Sequence, residues 1–147
     1  MSTLKRLFTT LFLALALVGS GNVVAAPDKG NTLLYNLTTD EVWPAGMAAA
    51  QAYNAAKRGH DVIVYLNVRG VYLAAKDRKQ DTLGATGRTA QETLQMAIEN
   101  GARVLVCPMC MKQGGLSADD LIDGVELGKP DTLFELLSQE GVVALSY

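Results

Sequence analysis

Asp61-Val62-Ile63-Val64-Tyr65-Leu66-Asn67-Val68 holds an apolar run with no polar alternation from Val62 to Leu66. A strand with one face in water alternates apolar and polar residues. An unbroken run marks a strand covered on both faces, as in a parallel sheet flanked by helices. Upstream, Pro44 to Arg58 reads as a helix with small and apolar faces, and Gly59 is its stop. Before that helix, Thr32 to Leu37 reads as a first strand. Downstream, Arg69 to Ala75 reads as a turn with a short helical piece, and Lys76 to Arg88 as a polar loop. Thr89-Ala90-Gln91-Glu92 is a capping-box pattern that opens a second helix, with Leu94, Ala97 and Ile98 facing inward. Ala102 to Val106 is a third strand. Ser117-Ala118-Asp119-Asp120 reads as a further helix start leading into Leu121 and Ile122, and Gly124 to Leu127 as a short strand. Pro130 starts a last helix over Asp131 to Gln139, and Val142 to Ser146 is the last strand. Alternating strands and helices predict an α/β domain with a parallel sheet covered on both faces.

The chain has 147 residues, enough for one domain with a packed core. A formal charge of −2 with no basic stripe argues against a nucleic-acid partner. The first residues read as an export signal. Lys5 and Arg6 are the positive start, Leu7 to Val18 an apolar run, and Val23-Val24-Ala25-Ala26-Pro27 a small-residue cleavage region. The apolar run is about 12 residues against about 20 needed to span a bilayer, which favours a cleaved signal over an anchor. Residues 1–25 are therefore expected to be removed by a cut near Ala25 or Ala26, better after Ala25 because Pro27 would otherwise follow directly. That leaves a domain over 27–147, periplasmic or secreted, free of the membrane. No cysteine stands near the cut, which argues against a bacterial lipoprotein.

The chemistry concentrates in Cys107-Pro108-Met109-Cys110, directly after the third strand. In open parallel sheets ligands gather at the carboxyl ends of strands, and Cys107 sits at that edge. If a helix starts there, Cys107 is its cap and Pro108 its first residue, where the missing N–H costs nothing. The backbone N–H groups of Met109 and Cys110 then point at the Cys107 sulfur and favour thiolate. A helix terminus supplies only about 0.3–1 kcal/mol. A strongly acidic thiol needs a further cation, for which Lys112 and Arg69 are the candidates. Arg69 follows strand two and so shares the sheet edge.

Other chemistries fit less well. Zinc wants four ligands, and the chain offers Cys107, Cys110 and the single His60, so neither a metal nor a cofactor is expected. His60 precedes strand two, at the opposite end from Cys107, which argues against a Cys-His or Ser-His-Asp mechanism. Gly84-Ala85-Thr86-Gly87 has two residues between its glycines where a phosphate loop needs four. No Trp stands directly before the motif, and Pro130 reads as a helix start rather than a proline facing the sulfurs. Both points oppose a thioredoxin-like reading. A purely structural disulfide closes a very small loop and so stabilises little.

These residues resemble the DsrE/DsrF-like family, in its exported branch. The likeness rests on Gly59-His60-Asp61-Val62 running into Tyr65 to Val71. It rests more firmly on Val104 to Lys112, followed by Gly115-Leu116-Ser117-Ala118-Asp119-Asp120-Leu121-Ile122-Asp123-Gly124-Val125 and the closing Val143 to Tyr147. The resemblance implies a three-layer α/β/α fold with a five-stranded parallel sheet, and homo-oligomers, often trimers or hexamers. It also implies a persulfide on the cysteine after the third strand, which is Cys107 here. The expectation is thus a periplasmic sulfur carrier or sulfurtransferase-like thiol protein acting through Cys107. Cys110 would be the resolver, and a protein or small molecule the sulfur donor or acceptor. Export separates it from the cytoplasmic partners of relay members. Two rivals stand beside this reading: a non-enzymatic oligomeric module with a structural Cys107–Cys110 disulfide, and a dithiol redox protein.

Overall fold

The structure is a computed structural model, and it describes residues 30–147. The signal segment expected over 1–25, with its cut near Ala25 or Ala26, lies outside the described residues. Among those described, no helix is long and apolar enough to cross a membrane.

Five strands form one sheet: β1 (Thr32–Leu37), β2 (Val62–Leu66), β3 (Arg103–Val106), β4 (Val125–Leu127) and β5 (Val142–Ser146). Their order is β4-β3-β2-β1-β5, and every pair is parallel. The chain steps outward from β1 to β4, then crosses back to lay β5 on the free side of β1. Two long helices, α1 (Val42–Lys57) and α2 (Ala90–Glu99), cover one face. The short α4 (Thr132–Leu137) covers the other, through Leu133 and Leu136. The expected three-layer α/β/α domain is the observed one, with a thick layer and a thin one. The remaining helix, α3 (Pro108–Gln113), sits at the carboxyl edge of the sheet.

The pattern of side chains explains the layers. Leu37, Val62, Val64, Leu66, Val104 and Val106 turn to the α1/α2 side. Leu34, Ile63, Tyr65 and Leu105 turn to the α4 side. On α1 the buried positions are Ala45, Gly46, Ala48, Ala49, Ala52, Ala55 and Ala56, small side chains that let the helix lie close to the sheet. Helix α2 opens with the expected capping box. The Glu92 N–H donates to Thr89 Oγ1 at 3.1 Å and the Thr89 N–H to Glu92 Oε2 at 2.8 Å.

Several boundaries differ from the sequence expectation, four of them for a clear local reason. Helix α1 begins at Val42, before Pro44, because the first-turn N–H groups of a helix have no intrahelical partner and a proline there loses no bond. Strand β2 stops at Leu66, and a 3₁₀ segment, Val68–Ala74, follows. The start read at Ser117 gives a single 3₁₀ turn, Ala118–Asp120, and no α-helix. Leu121 instead pairs antiparallel with Ala75, and the Ile122 N–H donates to the Ala74 carbonyl at 2.8 Å, which draws the chain straight. Helix α4 is shorter than Asp131 to Gln139, with Asp131 as its cap and Ser138 Oγ donating to the Phe134 carbonyl at 2.7 Å at its end.

The 3₁₀ segment lies across the end of β1. The Asn67 N–H donates to the Leu37 carbonyl at 3.0 Å and the Arg69 N–H to the Thr38 carbonyl at 3.1 Å. Directly after them Gly70 passes so close that a Cβ would stand 2.1 Å from the Leu37 carbonyl oxygen. Both atoms belong to backbone, so neither yields cheaply. Gly70→Ala is expected to cost about 2 kcal/mol or more, and Gly84→Ala, which faces open space, less than about 0.5 kcal/mol. Denaturant melts of the two variants check this, and equal stability would refute the close approach.

Candidate functional site

Strand alternation sets the two sulfurs apart. Leu105 faces the α4 layer, and Cys107, two residues on, keeps that side and packs against the cluster that holds Tyr65 and Leu105. The Cys107 N–H donates to the Leu66 carbonyl at 2.9 Å, extending the β2–β3 ladder by one step. Cys107 then caps α3, with Pro108 in the first turn. One turn later Cys110 lies against the α1/α2-side core. Both cysteines are free thiols and each is half-buried. The pair straddles the sheet edge, Cys107 toward one layer and Cys110 toward the other.

Their acidities diverge. Burial pushes the Cys107 thiol up. The backbone N–H of Cys110, the Cys110 thiol, the Tyr65 hydroxyl and the backbone N–H of Met109 outweigh it and bring Cys107 below its ordinary value. The sulfur closes no capping bond of standard geometry, so these contacts act as a convergent set rather than one strong bond. Hydrogen bonds to an anion contribute about 1.5–3 kcal/mol each at best, against at most about 1 kcal/mol from a helix terminus. The first-turn N–H of Cys110 leads the donors, ahead of the Cys110 thiol and the Tyr65 hydroxyl, so local hydrogen bonds rather than the dipole of the six-residue α3 lower the sulfur. Cys110 goes the other way. Burial raises it, its bond to the Cys107 sulfur raises it further, and the Val68 N–H opposes both. Tyr65 is likewise raised, by burial and then by its bond to Cys107, so its hydroxyl keeps its proton. Of the two sulfurs, Cys107 is therefore the one whose anion the fold favours, while Cys110 and Tyr65 hold their protons more tightly.

Val68 is the backbone oddity. Its φ is +48°, and among the described residues it is the single non-glycine with positive φ. A β-branched side chain there is strained, by about 1–3 kcal/mol. The strained turn aims the Val68 N–H at the Cys110 sulfur.

A cavity of about 460 Å³ opens beside Cys110, bounded by Val68, Arg69, Tyr72, Met109 and Gln113. Cys107 is not in its wall. Arg69 is 60% exposed and reaches back to Asp40, with Nε to Oδ1 at 2.8 Å and Nη2 to Oδ2 at 2.9 Å. Arg78 reaches the same carboxylate at 3.2 Å. The two guanidiniums also flank the Tyr72 ring, at 5.5 Å and 3.8 Å from its centre. Asp40 is only 12% exposed; burial raises its carboxyl, but the Arg69 hydrogen bond and the two cations hold it below the usual carboxylate value. On the α4 side, Asn67 continues the register beside Cys107 and donates to Asn36 Oδ1 at 2.8 Å, while its own Oδ1 is buried without a partner.

Of the four residues singled out from sequence, Cys107 and Cys110 come together as neighbours, each shifting the other's acidity. Arg69 shares the cavity with Cys110, but its guanidinium is turned to Asp40 rather than committed to Cys107. Lys112 stands exposed in the last turn of α3, outside the cavity wall. His60 lies beyond α1, at the other end of β2. Among the described residues no group of three or more His, Cys, Asp or Glu side chains is placed to hold a metal ion. Sequence reasoning missed Tyr65, Val68, Asp40 and Tyr72. Only Tyr65 left a signal: it is the residue of the apolar run whose parity matches Leu105, its register partner, and hence Cys107.

A model of the DsrE/DsrF-like family matches residues 36–144. An uncharacterized protein of Methanopyrus kandleri is 38% identical over 76 residues, 52% of this chain and 60% of its own length. One of Methanocaldococcus jannaschii is 36% identical over 87 residues, 59% of this chain and 70% of its own. The match thus spans less than two thirds of the first of these relatives. Among solved structures, the ychN protein of E. coli superposes with a TM-score of 0.65 at 20% identity, covering 79% of this chain and 99% of that one. A protein of unknown function from Bacteroides thetaiotaomicron gives 0.61 at 23% identity, with 80% and 95% coverage. At such identities the likeness is one of fold.

The donor set predicts a pH profile. Alkylation of Cys107 by iodoacetamide is expected to have its midpoint below that of an ordinary thiol, because the anion is favoured in the fold. Tyr65→Phe and Cys110→Ala each remove a donor and should move that midpoint up, toward the free-cysteine value of about 8.5. Rates measured from pH 5 to 10 check it; a wild-type midpoint at or above that of free cysteine would contradict the assignment of Cys107 as the anion.

Proposed function

The chain belongs to the DsrE/DsrF-like family, and from that premise we propose that it is an exported sulfur carrier acting through Cys107. The observation that carries this reading is the convergence of two backbone N–H groups, the Cys110 thiol and the Tyr65 hydroxyl on one sulfur. The same set that stabilises a thiolate stabilises it as a leaving group. In loading, the Cys107 thiolate attacks the outer sulfur of a donor persulfide R–S–SH. The donor's S–S bond breaks, a Cys107–S–SH persulfide forms, and RS⁻ departs with the electron pair and takes a proton from water. In delivery an acceptor thiolate attacks that outer sulfur and Cys107 leaves as thiolate. Without an acceptor, Cys110 can lose its proton and attack the inner sulfur, releasing HS⁻ and closing a Cys107–Cys110 disulfide. Export is proposed from residues 1–25, with the mature protein in the periplasm or outside the cell.

One mass-spectrometric experiment addresses both parts. Protein recovered from its native compartment is incubated with a low-molecular-weight persulfide donor, and intact masses are read. The expected masses start near residue 26 or 27 and gain one sulfur in wild type, with nothing gained in Cys107→Ser. Equal loading of Cys107→Ser would end the sulfur-carrier reading, and an intact N-terminus would end the export reading.

We further propose a homo-oligomer, a trimer or hexamer, built in part on the thin α4 face. Phe134 is 68% and Leu137 51% exposed there, one helical turn apart. Side chains of that size rarely cluster in water without a partner. Sedimentation should give a multiple of the protomer mass for wild type and a shift to smaller species for Phe134→Glu. A monomeric wild type would refute it.

A further inference from the structure

We propose that the cavity beside Cys110 binds a small organic thiol carrying a carboxylate, and that this ligand joins the protein as a mixed disulfide on Cys110. The inference goes beyond the sulfur-carrier reading: it needs the dithiol but no persulfide.

Size is the first argument. At about 460 Å³ the cavity falls among small-molecule sites, which run about 300–1,000 Å³. An inorganic sulfur anion or a lone sulfane sulfur would leave most of it empty. Charge is the second. Arg69 is the one ionic side chain in the wall, and no carboxylate lies in the wall to cancel it. Asp40 holds the guanidinium from outside the cavity, through Nε and Nη2. That leaves Nη1 and the exposed face of the group for a ligand carboxylate, already oriented. The walls supply the third argument. Val68, Tyr72 and Met109, the last 79% exposed at the rim, offer apolar contact to an organic body, and the Gln113 amide can pair with an amide or a second polar group. The fourth is the identity of the sulfur. Cys110 lines the cavity and Cys107 does not.

The ligand enters as its disulfide, R–S–S–R. Cys110 passes its proton to the neighbouring Cys107 thiolate and attacks one ligand sulfur. The ligand S–S bond breaks, RS⁻ leaves with the electron pair, and Cys110–S–S–R forms. The departing thiolate takes the proton back from Cys107. Cys107 then attacks the Cys110 sulfur, expels a second RS⁻ and closes the Cys107–Cys110 disulfide. The dithiol loses two electrons and the ligand disulfide gains them. In reverse, a ligand thiolate attacks Cys110 and Cys107 leaves, the better leaving group because its anion is the more stable.

The test compares two disulfides of opposite charge, glutathione disulfide and cystamine, at pH 7 and low salt. The readout is the ratio of their rates of reaction with the reduced protein. Arg69→Gln should lower the glutathione-to-cystamine ratio about tenfold, the size of one lost charge-assisted contact of about 1.4 kcal/mol. Arg69→Lys, which keeps the charge, should restore most of it. Lys57→Gln, the same charge change on the remote end of α1, should leave the ratio where wild type has it. Peptide mapping of Cys107→Ser should find the glutathione adduct on Cys110. A ratio unmoved by Arg69→Gln, an equal fall in Lys57→Gln, or faster adduct formation on Cys107 in Cys110→Ser than on Cys110 in Cys107→Ser would each overturn the proposal. Failed persulfide loading with the ratio behaving as described would sink the sulfur-carrier reading alone.

Discussion

Gly70 against the Leu37 carbonyl is the contact on which the site rests. The 3₁₀ segment after β2 has to leave the sheet, yet stay low enough to meet the end of β1, and only a residue without a side chain lets the two backbones pass. That approach fixes the two residues just before it, Val68 and Arg69. Val68 takes a conformation its side chain resists, and its N–H turns to Cys110. Arg69 is delivered to Asp40, just past β1, and Tyr72 swings under the two guanidiniums. A cavity wall, a hydrogen-bond donor and a charge thus follow from one missing Cβ.

The second determinant is the parity of β3. Two residues separate Cys107 from Leu105, so it inherits the α4 side and the company of Tyr65. A helical turn from Cys107 to Cys110 carries the second sulfur to the other side. Their environments then push the two thiols apart in acidity, Cys107 down and Cys110 up. Neither shift comes from a lysine or arginine. Short-range donors on a half-buried sulfur outweigh distant exposed cations, whose fields water screens.

Much of this was legible in the sequence. The apolar run in β2, the capping box at Thr89 and the cysteine pair after β3 led to the layered parallel sheet and to the sulfurs at its edge. Those signals are local, and each fixes a short stretch of backbone. What escaped was long-range. Asp40 meets Arg69 and Arg78 across 29 and 38 positions of sequence, and no spacing rule announces that. Val68 defied its own propensity, because the contact at Gly70 overrode it. Lys112 looked well placed by its distance in sequence from Cys107, but the helix turns it to solvent while Cys110 faces the cavity. The read of a helix at Ser117 failed because its capping pattern was real but the chain beyond it had a better partner in Ala74 and Ala75.

The straddling sulfur pair has a topological consequence. In a cleft, donor and acceptor compete for one mouth, and each must leave before the other arrives. Here the sheet edge is a divide with a sulfur on either slope. A visitor on the α4 slope meets Cys107, and one on the opposite slope meets Cys110. The pair therefore presents its two sulfurs to different surfaces of the domain, so a reagent that reaches one need not reach the other.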